Sequence, residues 1–326
     1  MGAAVTLARR GALVACLLVL AGPAWAQQRY AVIISGATGG QEYARQYNDW
    51  TMKLSAILTG RFRIEPSHLT LLTESDTPAG SATAVNVRKT LGALAQKTTR
   101  GDLVFLLLIG HGTFDGMDTK FNLVGPDLES AEWATLLRTI PAQLVVVNST
   151  AASYPFLERL AAPRRVVITS TDSAAQRFDT VFPGYFINAF ADDAADLDKN
   201  GRVSVWEAFA AASAGVRRHY QQRGQLSVER ALLDDNGDGL GNDAIKPADD
   251  GSQASRIYLD EPSADAAPTD DVLLKLLQRR TTLETEVGDL KIRRTFMPPG
   301  EYAAEFERLM IELATVSRDI RLRQKT

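Results

Sequence analysis

The chain predicts an α/β fold, a mainly parallel sheet with helices on both faces, followed by an acidic loop and an appended α-helical hairpin. Two patterns carry this. Short, continuous apolar runs alternate with segments of helical periodicity, the signature of strands buried on both faces. Near the C-terminus, apolar residues recur at alternating steps of four and three on either side of a Pro-Pro-Gly break.

The elements follow in order. Tyr30–Ser35 is a buried strand leading into Gly36-Ala37-Thr38-Gly39-Gly40. Residues 42–58 then place Tyr43, Tyr47, Trp50, Leu54, Ile57 and Leu58 at helical spacing. His68–Thr73 is a second strand, 85–94 an amphipathic helix and 102–109 a third strand. Ser130 is expected to cap a helix running through Leu137, before a fourth strand at Leu144–Val147. Arg165–Thr169 is a fifth strand, and Phe182 opens another helix. In such sheets ligands bind beyond the carboxyl ends of the strands. That rim gathers His111, residues 149–153 and residues 171–177. The glycine-rich turn at 36–40 lacks the spacing of a nucleotide cradle and reads as a strand-to-helix turn.

Composition narrows the class. Residues 1–26 have the form of a signal peptide: Arg9 and Arg10, an apolar stretch too short to span a membrane, and Ala24-Trp25-Ala26 before Gln27. The expectation is an exported protein, periplasmic or extracellular. Cys16 is the single cysteine and lies in that segment, so the mature chain has neither disulfide nor thiol nucleophile. The formal charge of -3 becomes -5 without Arg9 and Arg10, and no basic cluster stands out, which argues against nucleic acid. The division expected is a body over 27–248, an Asp/Ser/Ala/Pro-rich linker over 249–270, and a hairpin over 271–326.

One motif has a complete chemical logic. Asp196-Leu-Asp198-Lys-Asn200-Gly201-Arg202-Val-Ser204-Val-Trp-Glu207 matches an EF-hand-type loop at every position. Asp196, Asp198, Asn200 and Ser204 supply side-chain oxygens, Arg202 a backbone carbonyl, and Glu207 two oxygens from the next helix. Gly201 makes the sharp turn. A hard cation takes about six to eight oxygens, and Ca2+ is the cofactor expected. Asp234, Asn236 and Asp238, with glycine at 239, repeat the first half of the pattern. Ile245 stands where the terminal Glu belongs, which leaves Asn242 or Asp243 to complete a shortened site. Both loops read as structural clamps.

Several of these segments together resemble cysteine peptidases of the legumain and caspase type. Tyr30-Ala-Val-Ile-Ile-Ser-Gly, then Tyr43-Ala-Arg-Gln-Tyr, is similar to their opening strand and helix. Gly110-His111-Gly112 resembles their histidine motif, Leu144–Ser153 the strand delivering their nucleophile, and Val166–Thr171 the strand beyond it. The resemblance covers about residues 30–190 and implies a caspase-like sheet with His111 as the catalytic histidine. It breaks at the nucleophile. Where the family places acidic-Ala-Cys-x-Ser-Gly, this chain has Thr150 or Ala151 in the cysteine slot, and Tyr154 after Ser153. Two readings stay open. In one, the chain is a pseudopeptidase whose cleft binds a protein or peptide partner. In the other, it is a hydrolase in which Ser149, Thr150 or Ser153 attacks with His111 as general base, oriented by Asp115 or Asp118.

The last segment reads as two antiparallel helices. Leu276, Leu283, Val287 and Leu290 share a face of the first. Tyr302, Phe306, Leu309, Leu313, Val316 and Ile320 form a heptad seam on the second, as in a coiled coil. Packing against the body and self-association are both open for this unit.

Overall fold

A computed structural model of the chain describes residues 27–246, 248–261, 270–294 and 297–323. The expected signal peptide lies outside the described residues.

Strands β1 (Arg29–Ser35), β2 (Leu69–Leu72), β3 (Leu103–Ile109), β7 (Gln143–Asn148), β8 (Arg165–Thr169) and β9 (Leu232–Asp234) form one six-stranded sheet, ordered β2-β1-β3-β7-β8-β9. All neighbours are parallel except the edge strand β9, which runs antiparallel to β8. The two-residue period of a strand divides the side chains between two cores. On β3, Leu103, Phe105, Leu107 and Ile109 face one core, and Val104, Leu106 and Leu108 the other. Helices α1 (Gln41–Ala56), α5 (Phe182–Ala189) and α6 (Val205–Gln222) cover the first face. Helices α2 (Ala84–Lys97), α3 (Ser130–Arg138) and α4 (Tyr154–Leu160) cover the second. Every residue of β1 and β3 is buried. This explains why neither strand shows polar alternation.

The chain leaves β1 toward β2 on one side and returns through β3 toward β7 on the other, so strand order reverses between β1 and β3. The loops after these strands flank the crevice such a reversal creates.

Three elements escaped the sequence reading. A small antiparallel sheet, β4 (Gly112–Phe114), β5 (Thr119–Phe121) and β6 (Leu128–Glu129), follows His111 directly. Its strands are two or three residues long, too short to show a period. Helix α4 begins with Tyr154-Pro155, where proline suits a first helical turn. Strand β9 sits inside the Asp-rich segment. Ser130 does not cap α3: Glu129 holds the cap position, and the Ser130 hydroxyl donates to the Asp118 carboxylate.

The linker expected over 249–270 is corrected for its first half. Residues 250–261 pack onto the body, with Ala254, Ile257 and Leu259 buried. The buried Asp235 carboxylate anchors them, accepting from Gly251 N at 3.0 Å and Ala254 N at 2.7 Å. Such long-range partners leave no local pattern in a polar stretch. Residues 262–269 lie outside the described residues. Helices α7 (Asp271–Arg293) and α8 (Pro299–Arg323) form the hairpin about their own core, where Leu283, Val287 and Leu290 meet Leu309, Val316 and Ile320.

Candidate functional site

His111 stands at the β1/β3 reversal. Its Nε2 lies 3.1 Å from the carbonyl oxygen of Thr38, in the loop after β1, and 3.3 Å from the Tyr47 hydroxyl on α1. Its Nδ1 lies 3.2 Å from Asp179 Oδ1, in the segment between β8 and α5. The other oxygen of Asp179 accepts the Tyr43 hydroxyl. Tyr43 and Tyr47 also set their rings edge-on to the imidazole, 4.7 and 5.7 Å between centroids. Nδ1 thus faces a carboxylate, while Nε2 is within reach of both an acceptor, the Thr38 carbonyl, and a hydroxyl, that of Tyr47.

The expectation that Asp115 or Asp118 orients His111 is corrected. Asp115 closes the β4–β5 turn, accepting from Met117 N and Asp118 N at 3.0 Å each, and pairs with Lys120 at 3.1 Å. Those two backbone bonds and the Lys120 ammonium hold its carboxyl low, at about 2. Asp118 takes Thr119 N and the Ser130 hydroxyl. The orienting carboxylate is Asp179, about seventy residues downstream. Only the fold joins it to the histidine, and no spacing rule exposes it.

The three candidate nucleophiles lie in the loop after β7, buried and bonded elsewhere. Ser149 Oγ donates to the Leu108 carbonyl at 2.6 Å. Thr150 Oγ1 donates to Asn148 Oδ1 at 2.8 Å, with the Ala151 carbonyl at 3.0 Å. Ser153 Oγ lies 3.0 Å from Thr171 Oγ1 and 3.3 Å from Ser170 Oγ. Among the described hydrogen bonds none joins these hydroxyls to His111. Ala152, at φ +50°, takes a left-handed conformation that costs a non-glycine residue roughly 1–2 kcal/mol. Two bonds hold it there, from Ala152 N to the Gln176 carbonyl and from Thr119 Oγ1 to the Ala152 carbonyl. Gly112 presses on the same loop: a Cβ there would lie 2.2 Å from the Ala151 carbonyl and 2.5 Å from Thr150 Oγ1.

A second site lies between α5 and α6. Ligand oxygens of Asp196, Asp198 and Glu207 fall within 4.8 Å of one another, and all three residues are buried. The loop that gathers them turns through left-handed Lys199 (φ +60°) and Gly201 (φ +82°). Asn200 N and Gly201 N donate to Asp196 at 3.1 and 2.9 Å, curling the backbone around the carboxylates. Ser204 and Glu207 form a reciprocal capping box at the start of α6. Glu207 Oε1 also accepts from Leu197 N at 2.8 Å. The Arg202 guanidinium turns away to Asp260 and the Tyr258 ring, so this side chain is no ligand. Asn200 Nδ2 donates to Asp198 and to the Tyr258 hydroxyl, 2.9 Å each.

The electrostatics of this triad are unfavourable without a cation. Burial, then the nearby Glu207 charge, pushes the Asp198 carboxyl up to about 7, and burial raises Glu207 as well. Buried carboxylates this close repel unless a proton or a metal neutralises them. The arrangement has the donor set and spacing to hold a metal ion.

The second Asp-rich loop has a related backbone but a different charge distribution. Asp234 is buried and accepts from Gly237 N at 2.7 Å and Gly239 N at 2.9 Å, while Asn236 and Asp238 are not buried and bond the loop's own amides. Asn242, expected to complete the site, donates instead to Asp250 at 2.6 Å. Asp243 pairs with Arg230.

Comparison with known proteins adds little. No protein-family model matches the chain. No curated protein matches it either. Among solved structures, protein GSU0716 from Geobacter sulfurreducens is similar at 14% identity and a TM-score of 0.45, over 72% of this chain and 100% of that one. At that level the likeness carries no functional argument.

Proposed function

We propose that this chain is an exported, calcium-binding, caspase- and legumain-like pseudopeptidase that serves as a protein- or peptide-binding scaffold. The observation that carries the non-catalytic part is that Ser149, Thr150 and Ser153 are buried and give their hydroxyls to partners other than His111, whose own neighbours are Asp179, Thr38 and Tyr47. A hydroxyl is a weak nucleophile at neutral pH and needs a base within hydrogen-bond reach. The hydrolase alternative gains no support from this geometry. The resemblance to the peptidase family supports a peptide-sized partner at the rim beyond β3 and β7.

Calcium is the cation assigned to the Asp196–Glu207 loop. An all-oxygen donor set of carboxylates, an amide and a hydroxyl suits a hard ion, and a twelve-residue loop with glycine at its sixth position suits the flexible coordination of Ca2+ better than the tight octahedron of Mg2+. Its role is a clamp, fixing α6 and the loop before it. Titration calorimetry of the metal-free chain tests this: CaCl2 binds with at least one site, and Asp196→Asn abolishes that heat. Equal binding of MgCl2, or none of CaCl2, removes calcium from the account.

A further inference from the structure

Leu197 sits between two of the acidic residues of the cation loop, and its side chain packs in two directions. It lies against the body's core on the α1–α5–α6 face and against the core of the α7–α8 hairpin. Its backbone N–H is bonded to Glu207 Oε1. A shift of the loop therefore moves a side chain that the hairpin rests on.

A second attachment runs through the same loop. Trp206, next to Glu207, is buried, and Gly251 lies so close that a Cβ there would meet the indole at 2.6 Å. The Gln278 amide of α7 is 3.5 Å from that same position. Nearby, Thr282 Oγ1 of α7 donates to the Ile245 carbonyl at 2.7 Å, and Asp271 pairs with Arg256. The hairpin's two helices meanwhile hold each other through their own apolar core and the Arg279–Glu312 pair at 2.6 Å. It is built to move as a unit, with the cation loop under its inner face.

We propose that a divalent cation in the Asp196–Glu207 loop locks the α7–α8 hairpin onto the body through Leu197, and that loss of the cation frees the hairpin. This rests on the reading of that loop as a cation site. Without the cation, three buried carboxylates repel and the loop backs away. Leu197 goes with it, because both of its neighbours in the chain are among those carboxylates.

Hydrogen–deuterium exchange on the full chain tests this, with CaCl2 present, after chelation, and after CaCl2 is restored, alongside calorimetric CaCl2 binding. Chelation is expected to raise exchange roughly tenfold across residues 196–207 and 271–290, reversibly, while β1 and β3 stay protected. Leu197→Ala is expected to leave CaCl2 binding in place yet keep residues 271–290 fast in its presence, and Leu197→Met to restore protection. If CaCl2 binds and the hairpin's exchange ignores it, the locking mechanism is overturned while the cation site stands. Protection unchanged in Leu197→Ala overturns it too. Absence of CaCl2 binding overturns both.

Discussion

Nδ1 of His111 is 3.2 Å from Oδ1 of Asp179, and that carboxylate also takes the Tyr43 hydroxyl. The pair joins the end of β3 to the segment before α5. An Asp–His pair is two members of a hydrolytic triad. Among the described hydrogen bonds, the third, an alcohol bonded to the histidine, is missing.

Half-exposed, this pair contributes little to stability. His111 and Asp179 keep 27% and 51% of their side-chain surface, and contacts between side chains that exposed are worth about 0–1 kcal/mol even when both are charged. Asp179→Ala is expected to lower unfolding stability by no more than about 1 kcal/mol in urea titration. A loss of ~3 kcal/mol would instead mark a buried structural pair.

Gly112 is expected to tolerate no side chain. The Ala151 carbonyl lies 2.2 Å from where a Cβ would be, and backbone must shift to admit it. Overpacking of this kind costs about 1–3 kcal/mol. Gly112→Ala should therefore unfold at lower urea than the parent, and an unchanged midpoint would deny the close approach of β4 to the loop after β7.

Asp198→Asn should change sign with calcium. In the metal-free protein it removes a buried charge that Glu207 already opposes, so it raises the melting temperature at pH 8. With calcium at ~100 times its dissociation constant, the parent gains about 2.7 kcal/mol, or about 5–10 °C, and the variant loses that gain. Scanning fluorimetry with and without CaCl2 reads both. The same direction in both conditions would exclude Asp198 as a ligand.

The metal-free chain should be more stable at pH 5 than at pH 8. Asp198 and Asp250 titrate at about 7 and about 6 when folded, both raised chiefly by burial, against about 3.9 unfolded. A carboxyl raised by folding contributes stability that is complete below about pH 4 and is lost as pH climbs through its folded value. Calcium needs the ionised ligands, so its presence should flatten or reverse this slope. Melting temperatures at the two pH values, with and without CaCl2, check it.

How much was legible in the sequence differs by element. The strands β1, β3, β7 and β8 were readable because burial on both faces demands continuous apolar runs. The buried cluster of Asp196, Asp198 and Glu207 was readable because the spacing of its carboxylates along a short segment follows a coordination pattern. Hairpin and break followed from Pro298-Pro299-Gly300 and the heptad seam. What escaped depends on distance in the chain: Asp179 reaching His111, Asp235 anchoring residues 251–254, and Leu197 touching the hairpin. None of these leaves a local period or spacing.

The most direct test of the central claim is chemical. The protein, with CaCl2 in the buffer, is incubated with a fluorophosphonate probe and, separately, with a peptide library, beside its His111→Ala variant. The account predicts no covalent label and no cleavage in either protein. Labelling of Ser149, Thr150 or Ser153, or cleavage that disappears in His111→Ala, would contradict it.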